Sequence, residues 1–269
     1  PGPPSEFIPM VKGYVTAKIA RRYATILAQA ETAVYPVAGV SESVVDEKSA
    51  DVRRRFTEFG VQWTILARPN LVELWATIPS GHPSFKEEIA VSFREIFGNA
   101  FLGEGQRSLP AVVGTLLQER GLTLSVAESC TGGLIGYLIT SIPGSSQYFI
   151  SSCVVYANRA KRRIVKVPRS LLRRYGAVSR EVAIAMAKGA AKTGKASLGL
   201  SVTGIAGPGG GSPQKPVGLV WIALVARGKP PIAKEFHFGT DRATVMMRAA
   251  TAALDLVRRF LLEAEETKS

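Results

Sequence analysis

The second half of the chain alternates short apolar runs with segments of helical spacing, and that alternation confines it to a layered α/β fold. Leu122–Ala127, Tyr148–Tyr156, Leu198–Thr203, Val217–Ala226 and Ile232–Phe238 read as strands. Thr131–Thr140, Arg159–Val165, Arg169–Tyr175, Arg180–Lys192 and a closing stretch from Asp241 to Glu263 carry helical spacing. A further helix opens the unit. Ser108 can accept its first free N–H groups, Pro110 suits its first turn, and Gly121 can end it. The expected sheet is part parallel and part antiparallel.

The first half reads as a smaller α+β unit. Residues 1–12 are rich in proline and predict an extended lead-in, with helical spacing around Tyr14–Gln29. A strand at Val34–Val40 follows, then a helix capped by Ser41 or Ser43 and running through Phe59. Gln62–Ala67 and Val72–Ile78 alternate like paired strands, and Phe85–Phe97 returns to helical spacing. Gly98–Arg107, with three glycines and no periodicity, is the expected linker, and the chain contains no internal repeat.

Charge is divided unevenly between the halves. Residues 1–107 balance 12 Lys and Arg with 12 Asp and Glu, so the net +13 falls on the remainder. A basic second half suits an anionic ligand; nucleic acid is not the expected partner, because the first half is neutral. The two cysteines, Cys130 and Cys153, and the two histidines, His82 and His237, are too few for a disulfide framework or a zinc site, and no metal or cofactor is expected. No apolar run reaches the ~20 residues of a membrane span, and the first residues lack the pattern of a secretory signal, so the expected location is the cytoplasm.

Three junctions can carry chemistry. Ala127–Gly133 lies where a buried strand gives way to a helix, at the rim where α/β proteins bind ligands. Ser129 there could attack an amide carbonyl while neighbouring N–H groups hold the oxyanion, or Ser129 or Thr131 could simply cap the helix. Cys130 is a competing nucleophile, but no histidine stands in this region to make it a thiolate. Tyr156–Lys161 follows the next strand. Lys161, if withdrawn from water, could take the serine proton as in Ser-Lys hydrolases; alternatively it belongs to a solvated basic run with Arg159, Arg162, Arg163, Lys166, Arg169, Arg173 and Arg174. Thr203–Ser212 leaves a third strand as a glycine-rich loop that is neither GxGxxG nor a P-loop, yet is longer than a hairpin requires. Arg242, at the start of the last helix, offers a guanidinium to a phosphate or to a surface ion pair.

Taken in order and spacing, Ala127–Gly133, Pro143–Ser146, Tyr156–Lys161, Gly176–Ser179, Val202–Gly211 and Lys215–Gly218 resemble the CinA C-terminal family over about residues 108–266. The resemblance implies a three-layer α/β/α amidase domain that converts nicotinamide mononucleotide to nicotinic acid mononucleotide and ammonia without a metal. It implies Ser129 as nucleophile and Lys161 as base, with Tyr156 and Thr203 in support. It further implies a nucleotide surrounded by Thr131, Gly132, Gly133, Ser145, Ser146, Asn158, Gly204, Ala206, Gly207 and Gly209, with Arg242 steadying the substrate. The family writes Ser and Glu where this chain has Ala157 and Arg159, and Arg159 is expected to push the pKa of Lys161 down.

Residues 1–12 resemble the tail of an upstream domain of longer CinA proteins, and residues 13–106 their middle, KH-type domain, though the Gly-x-x-Gly loop of a nucleic-acid-gripping KH domain is absent. A homodimer is the oligomeric state the family implies. The alternative to an amidase is a weak or inactive nucleotide-binding, regulatory relative.

Overall fold

The computed structural model describes residues 3–24, 30–105, 107–239 and 241–266. By internal contacts the chain divides into two units, one of Pro1–Ala67 with Val72–Gln106, the other of Arg68–Leu71 with Arg107–Ser269.

The first unit opens with a helix rather than the expected extended lead-in. α1 (Pro4–Met10) continues through a π-helical stretch, Val11–Val15, into α2 (Thr16–Arg22). Pro4 occupies a first-turn position, where the missing N–H costs nothing, so proline here starts a helix instead of preventing one. The helical expectation for residues 25–29 lies outside the described residues. β1 (Ala30–Ala38), α3 (Glu42–Thr57), β2 (Gln62–Arg68), β3 (Leu71–Pro79) and α4 (Phe85–Phe97) follow, with the strands in the order β1-β3-β2. β3 alternates half-buried and buried positions, and Leu74, Ala76, Tyr35, Phe56, Ile89 and Phe93 share one core.

The expected linker is partly structure. Phe101 bridges to Val37, the Leu102 N–H donates to the Pro36 carbonyl at 2.9 Å and the Gly105 N–H to the Val34 carbonyl at 2.8 Å. Burying Phe101 and Leu102 binds this segment to β1 despite its glycines.

The second unit contains α5 (Leu109–Glu119), β4 (Leu124–Glu128), α6 (Leu134–Thr140), β5 (Phe149–Val154), α7 (Asn158–Arg163), α8 (Arg169–Tyr175), α9 (Arg180–Gly194), β6 (Leu198–Gly204), β7 (Leu219–Ala226), β8 (Ile232–His237) and α10 (Arg242–Glu266). Ser108 does cap α5, its Oγ accepting from the Ala111 N–H at 3.4 Å. The sheet runs β5-β4-β6-β7-β8, with β4 parallel to both neighbours and the β6–β7 and β7–β8 pairs antiparallel. α9 packs on one face through Val182, Met186, Ala187 and Ala190, while α6 and α10 cover the other, which gives the three layers. Glycine makes the close approach possible: a Cβ on Gly189 would stand 1.9 Å from the Val165 carbonyl oxygen. Among the described residues, no helix is long and apolar enough to cross a membrane.

Because β4, β5 and β6 are parallel, their C-terminal ends share one rim. Glu128 is opposite Val154 on one side and Val202 on the other. The segments beginning at Ser129, Val155 and Ile205 therefore emerge side by side.

Candidate active site

Ser129 leaves β4 with its N–H donated to the Val202 carbonyl at 3.0 Å, so the strand ladder itself fixes where the hydroxyl stands. The chain then turns sharply through Gly132 (φ 63°) and Gly133 (φ 102°), conformations that favour glycine, before α6 begins. Lys161 comes from α7 and is buried, 1 % exposed. Its Nζ lies 2.8 Å from Ser129 Oγ, 2.9 Å from the Val155 carbonyl and 2.9 Å from the Tyr156 carbonyl.

This geometry excludes the reading of Lys161 as part of a solvated basic run. Arg159, Arg162, Arg163, Lys166, Arg169, Arg173 and Arg174 are exposed, whereas Lys161 points inward. Two carbonyls occupy two of its N–H groups and leave the third tetrahedral position on Ser129 Oγ. When the amine is neutral, that position is its lone pair, and the serine hydroxyl becomes the donor. Burial pushes the Lys161 pKa down to about 8, with the Cys130 thiol opposing weakly. The expected influence of Arg159 is corrected: desolvation, not the neighbouring guanidinium, lowers the value.

Cys130 lacks the surroundings of a thiolate nucleophile. Its thiol is buried and desolvation pushes its pKa up to about 12, which keeps it protonated near neutrality. Among the described residues, no backbone carbonyl accepts the N–H groups of Cys130 and Thr131, and the buried Thr131 hydroxyl has no hydrogen-bond partner. By contrast, the Gly132 N–H donates to the Ser129 carbonyl and the Gly133 N–H to the Glu128 carboxylate.

The rest of the expected site is split. Tyr156 is largely exposed and its hydroxyl accepts from Arg242 at 3.1 Å, while its carbonyl holds Lys161. Arg242 also donates to the Gly207 carbonyl at 2.8 Å, so the guanidinium bridges the glycine-rich loop and Tyr156 rather than entering a surface ion pair. Asp241 caps this helix through the Thr244 N–H and hydroxyl, and these bonds hold its carboxyl pKa down. Thr203 is buried beside Ser129, and its hydroxyl donates to the Ala177 carbonyl at 2.9 Å. That bond makes Thr203 a tether of the 176–179 turn. Asn158 opens α7 and is exposed.

Ser145 and Ser146 do not join this group within one chain. They form a 3-10 turn before β5, whereas Val155 and Tyr156 follow its other end. The strand separates them by roughly 16 Å at ~3.3 Å per residue.

The glycine-rich loop is an organised hairpin. The Ile205 N–H donates to the Leu219 carbonyl, Gly218 to Ile205, and Ser212 and Lys215 exchange backbone bonds. A Cβ on Gly204 would meet Val220 at 2.7 Å, and one on Gly207 would meet Val217 at 2.6 Å, so both are glycines for packing. Ala206 is buried, whereas Gly209 has open space around it. Lys215 secures the hairpin by donating to the Tyr175 carbonyl at 2.6 Å and the Val178 carbonyl at 2.7 Å.

The sequence reading overlooked Glu128, Ser152 and Lys215. Glu128 ends an apolar strand and is followed by paired glycines, a pattern that signals a buried carboxylate served by backbone N–H groups. The Lys215 side chain bonds to carbonyls, for which no sequence pattern exists.

The sequence model of the CinA C-terminal domain matches residues 106–261. The chain belongs to the CinA family. A CinA-like protein of Dictyoglomus thermophilum is 39 % identical over 264 residues, covering 97 % of this chain and 63 % of the relative. A CinA-like protein of Geobacter metallireducens is 41 % identical over 265 residues, with the same coverage of 97 % and 63 %. This chain thus spans less than two thirds of the length of these CinA relatives. Among solved structures, the competence/damage inducible protein CihA of Agrobacterium tumefaciens is 42 % identical with a TM-score of 0.54, covering 55 % of this chain and 91 % of that one. The competence damage-inducible protein ComA of Klebsiella pneumoniae is 32 % identical with a TM-score of 0.56, covering 57 % and 95 %.

Proposed function

We propose that this CinA-family chain is an amidohydrolase that converts nicotinamide mononucleotide to nicotinic acid mononucleotide and ammonia. The observation that carries the reading is the contact of 2.8 Å between Ser129 Oγ and a buried lysine whose two other donors are occupied. A lysine with its pKa lowered to about 8 has a substantial neutral fraction near physiological pH.

Neutral Lys161 takes the Ser129 proton as Oγ attacks the carboxamide carbon. The N–H groups of Cys130 and Thr131, which no backbone carbonyl accepts, receive the oxyanion. Lys161 then passes its proton to the departing nitrogen, ammonia leaves, and a water activated by the same amine hydrolyses the acyl-enzyme. The anionic ribose phosphate suits the surrounding positive field, since residues 129–180 contain no Asp or Glu.

The test is the product pair. Equimolar ammonia and nicotinic acid mononucleotide are expected from the wild type. Their absence with a folded protein would refute the activity.

A further inference from the structure

Immediately before the nucleophile, Glu128 is wholly buried, and four donors converge on its carboxylate. Oε2 accepts the N–H groups of Gly133 and Ile135, both at 3.0 Å. Oε1 accepts the N–H of Gly136 at 2.9 Å and the Ser152 hydroxyl at 2.7 Å. Three of these donors are the opening N–H groups of α6, which no carbonyl of the helix can satisfy. The fourth comes from β5, the strand that leads to the carbonyls holding Lys161.

The surroundings are shaped for this arrangement. Gly132 and Gly133 adopt left-handed conformations that fold the chain back over the carboxylate. A Cβ on Gly136 would stand 2.9 Å from Ser152 Cβ and 3.5 Å from Glu128 Oε1, so a glycine is needed for α6 to reach both. A buried carboxylate is costly unless its lone pairs are filled, and here the donors come from the end of the turn that bears Ser129, from the first residues of α6 and from the strand beside it.

We propose that Glu128 is a positioning residue for the nucleophile, gripping both ends of the Ser129–Gly133 turn so that Ser129 Oγ meets Lys161 and the Cys130 and Thr131 N–H groups stay aimed at the reacting carbonyl. One end of the turn is the Glu128 backbone in β4, and the other is its own side chain's hold on Gly133, Ile135 and Gly136. The grip also consumes the first N–H groups of α6, which assigns the substrate's phosphate to other groups than that helix terminus.

As far as it concerns turnover, this inference rests on the amidase reading, so the test has two readouts. Wild type, Glu128→Gln and Ser152→Ala are compared in kcat and KM for nicotinamide mononucleotide. The titration of Lys161 is followed in each by the NMR shift of its labelled side-chain carbon. The side-chain amide of Glu128→Gln would turn an N–H group toward backbone donors, so kcat is expected to fall about 100-fold, the cost of an ångström-scale misplacement. KM should change less than about threefold, since the displaced groups act on the reacting carbonyl. The Lys161 midpoint should rise from about 8 toward 10.5 as water enters the loosened turn.

Ser152→Ala keeps three of the four bonds and should show the same changes in smaller measure, so it decides the matter if the Glu128→Gln variant does not fold. A variant that is less stable but retains wild-type kcat and an unmoved Lys161 midpoint would overturn the proposal, leaving Glu128 a fold-stabilising residue only. Absent turnover in the wild type would refute the amidase reading, and the Lys161 midpoints alone would then judge Glu128.

Discussion

Lys161 Nζ stands 2.8 Å from Ser129 Oγ with its two remaining donors on the carbonyls of Val155 and Tyr156. The arrangement aims the lone pair of the neutral amine at one atom. The consequence is a defined pH dependence. In the proposed mechanism turnover requires neutral Lys161, so kcat should rise with pH through about 8 and level off above it. At pH 7 the rate should be about a tenth of the plateau. A pH–rate profile that is flat between 6.5 and 9 (roughly the window a base of this kind must cross) would contradict the base role.

Replacement of the lysine separates charge from chemistry. Lys161→Arg keeps a cation but cannot present a neutral nitrogen, and Lys161→Met removes the function while filling similar volume. Both should lower kcat by about 10²–10⁴-fold, the usual contribution of a positioned base. The Met variant should also lose the wild type's rise in stability between pH 8 and 10.5. In that window the unfolded chain binds more protons than the fold, because burial depresses the folded pKa. Chemical denaturation at two pH values measures the difference.

Arg242 joins the Gly207 carbonyl to the Tyr156 hydroxyl. Arg242→Ala frees the glycine-rich hairpin from Tyr156 and should raise KM by about tenfold, or 1.4 kcal/mol, with little effect on kcat. Arg242→Lys should not restore it, because an ammonium lacks the planar fork that spans both oxygens. A KM equal to wild type in the Ala variant would remove Arg242 from substrate binding.

Packing around the sheet gives a test independent of catalysis. Gly189→Ala would drive a Cβ to within 1.9 Å of the Val165 carbonyl oxygen and should cost about 3 kcal/mol. Gly209→Ala, with open space around it, should shift stability by less than about 0.5 kcal/mol. Denaturant midpoints of the two variants, side by side, check the placement of α9 against Val165 and the openness of the hairpin.

The sheet and its helices were legible because apolar runs such as Leu198–Thr203 and punctuation such as Gly121 and Ser108 act locally. The rim followed from them, since Ser129 and Tyr156 sit at the ends of predicted strands. Proline misled at residues 3–9, where Pro4 stands in the first turn and the helix continues through Pro9. Lys161 could not be told from the basic residues around it by type. Its inward orientation depends on α7 presenting it to the carbonyls that end β5, a tertiary fact. Lys215 escaped for the related reason that its side chain's partners are backbone carbonyls, which carry no residue identity. Ser145 and Ser146 followed the order of the chain into the expected site, but the sheet puts them at the opposite end of β5.

The most direct measurement is the release of ammonia and nicotinic acid mononucleotide from nicotinamide mononucleotide by wild type and Ser129→Ala, without added metal. Turnover by the wild type that vanishes in a folded Ser129→Ala variant is the predicted result. Equal turnover in both, or none in the wild type, would contradict the account of Ser129 as the nucleophile of an amidase.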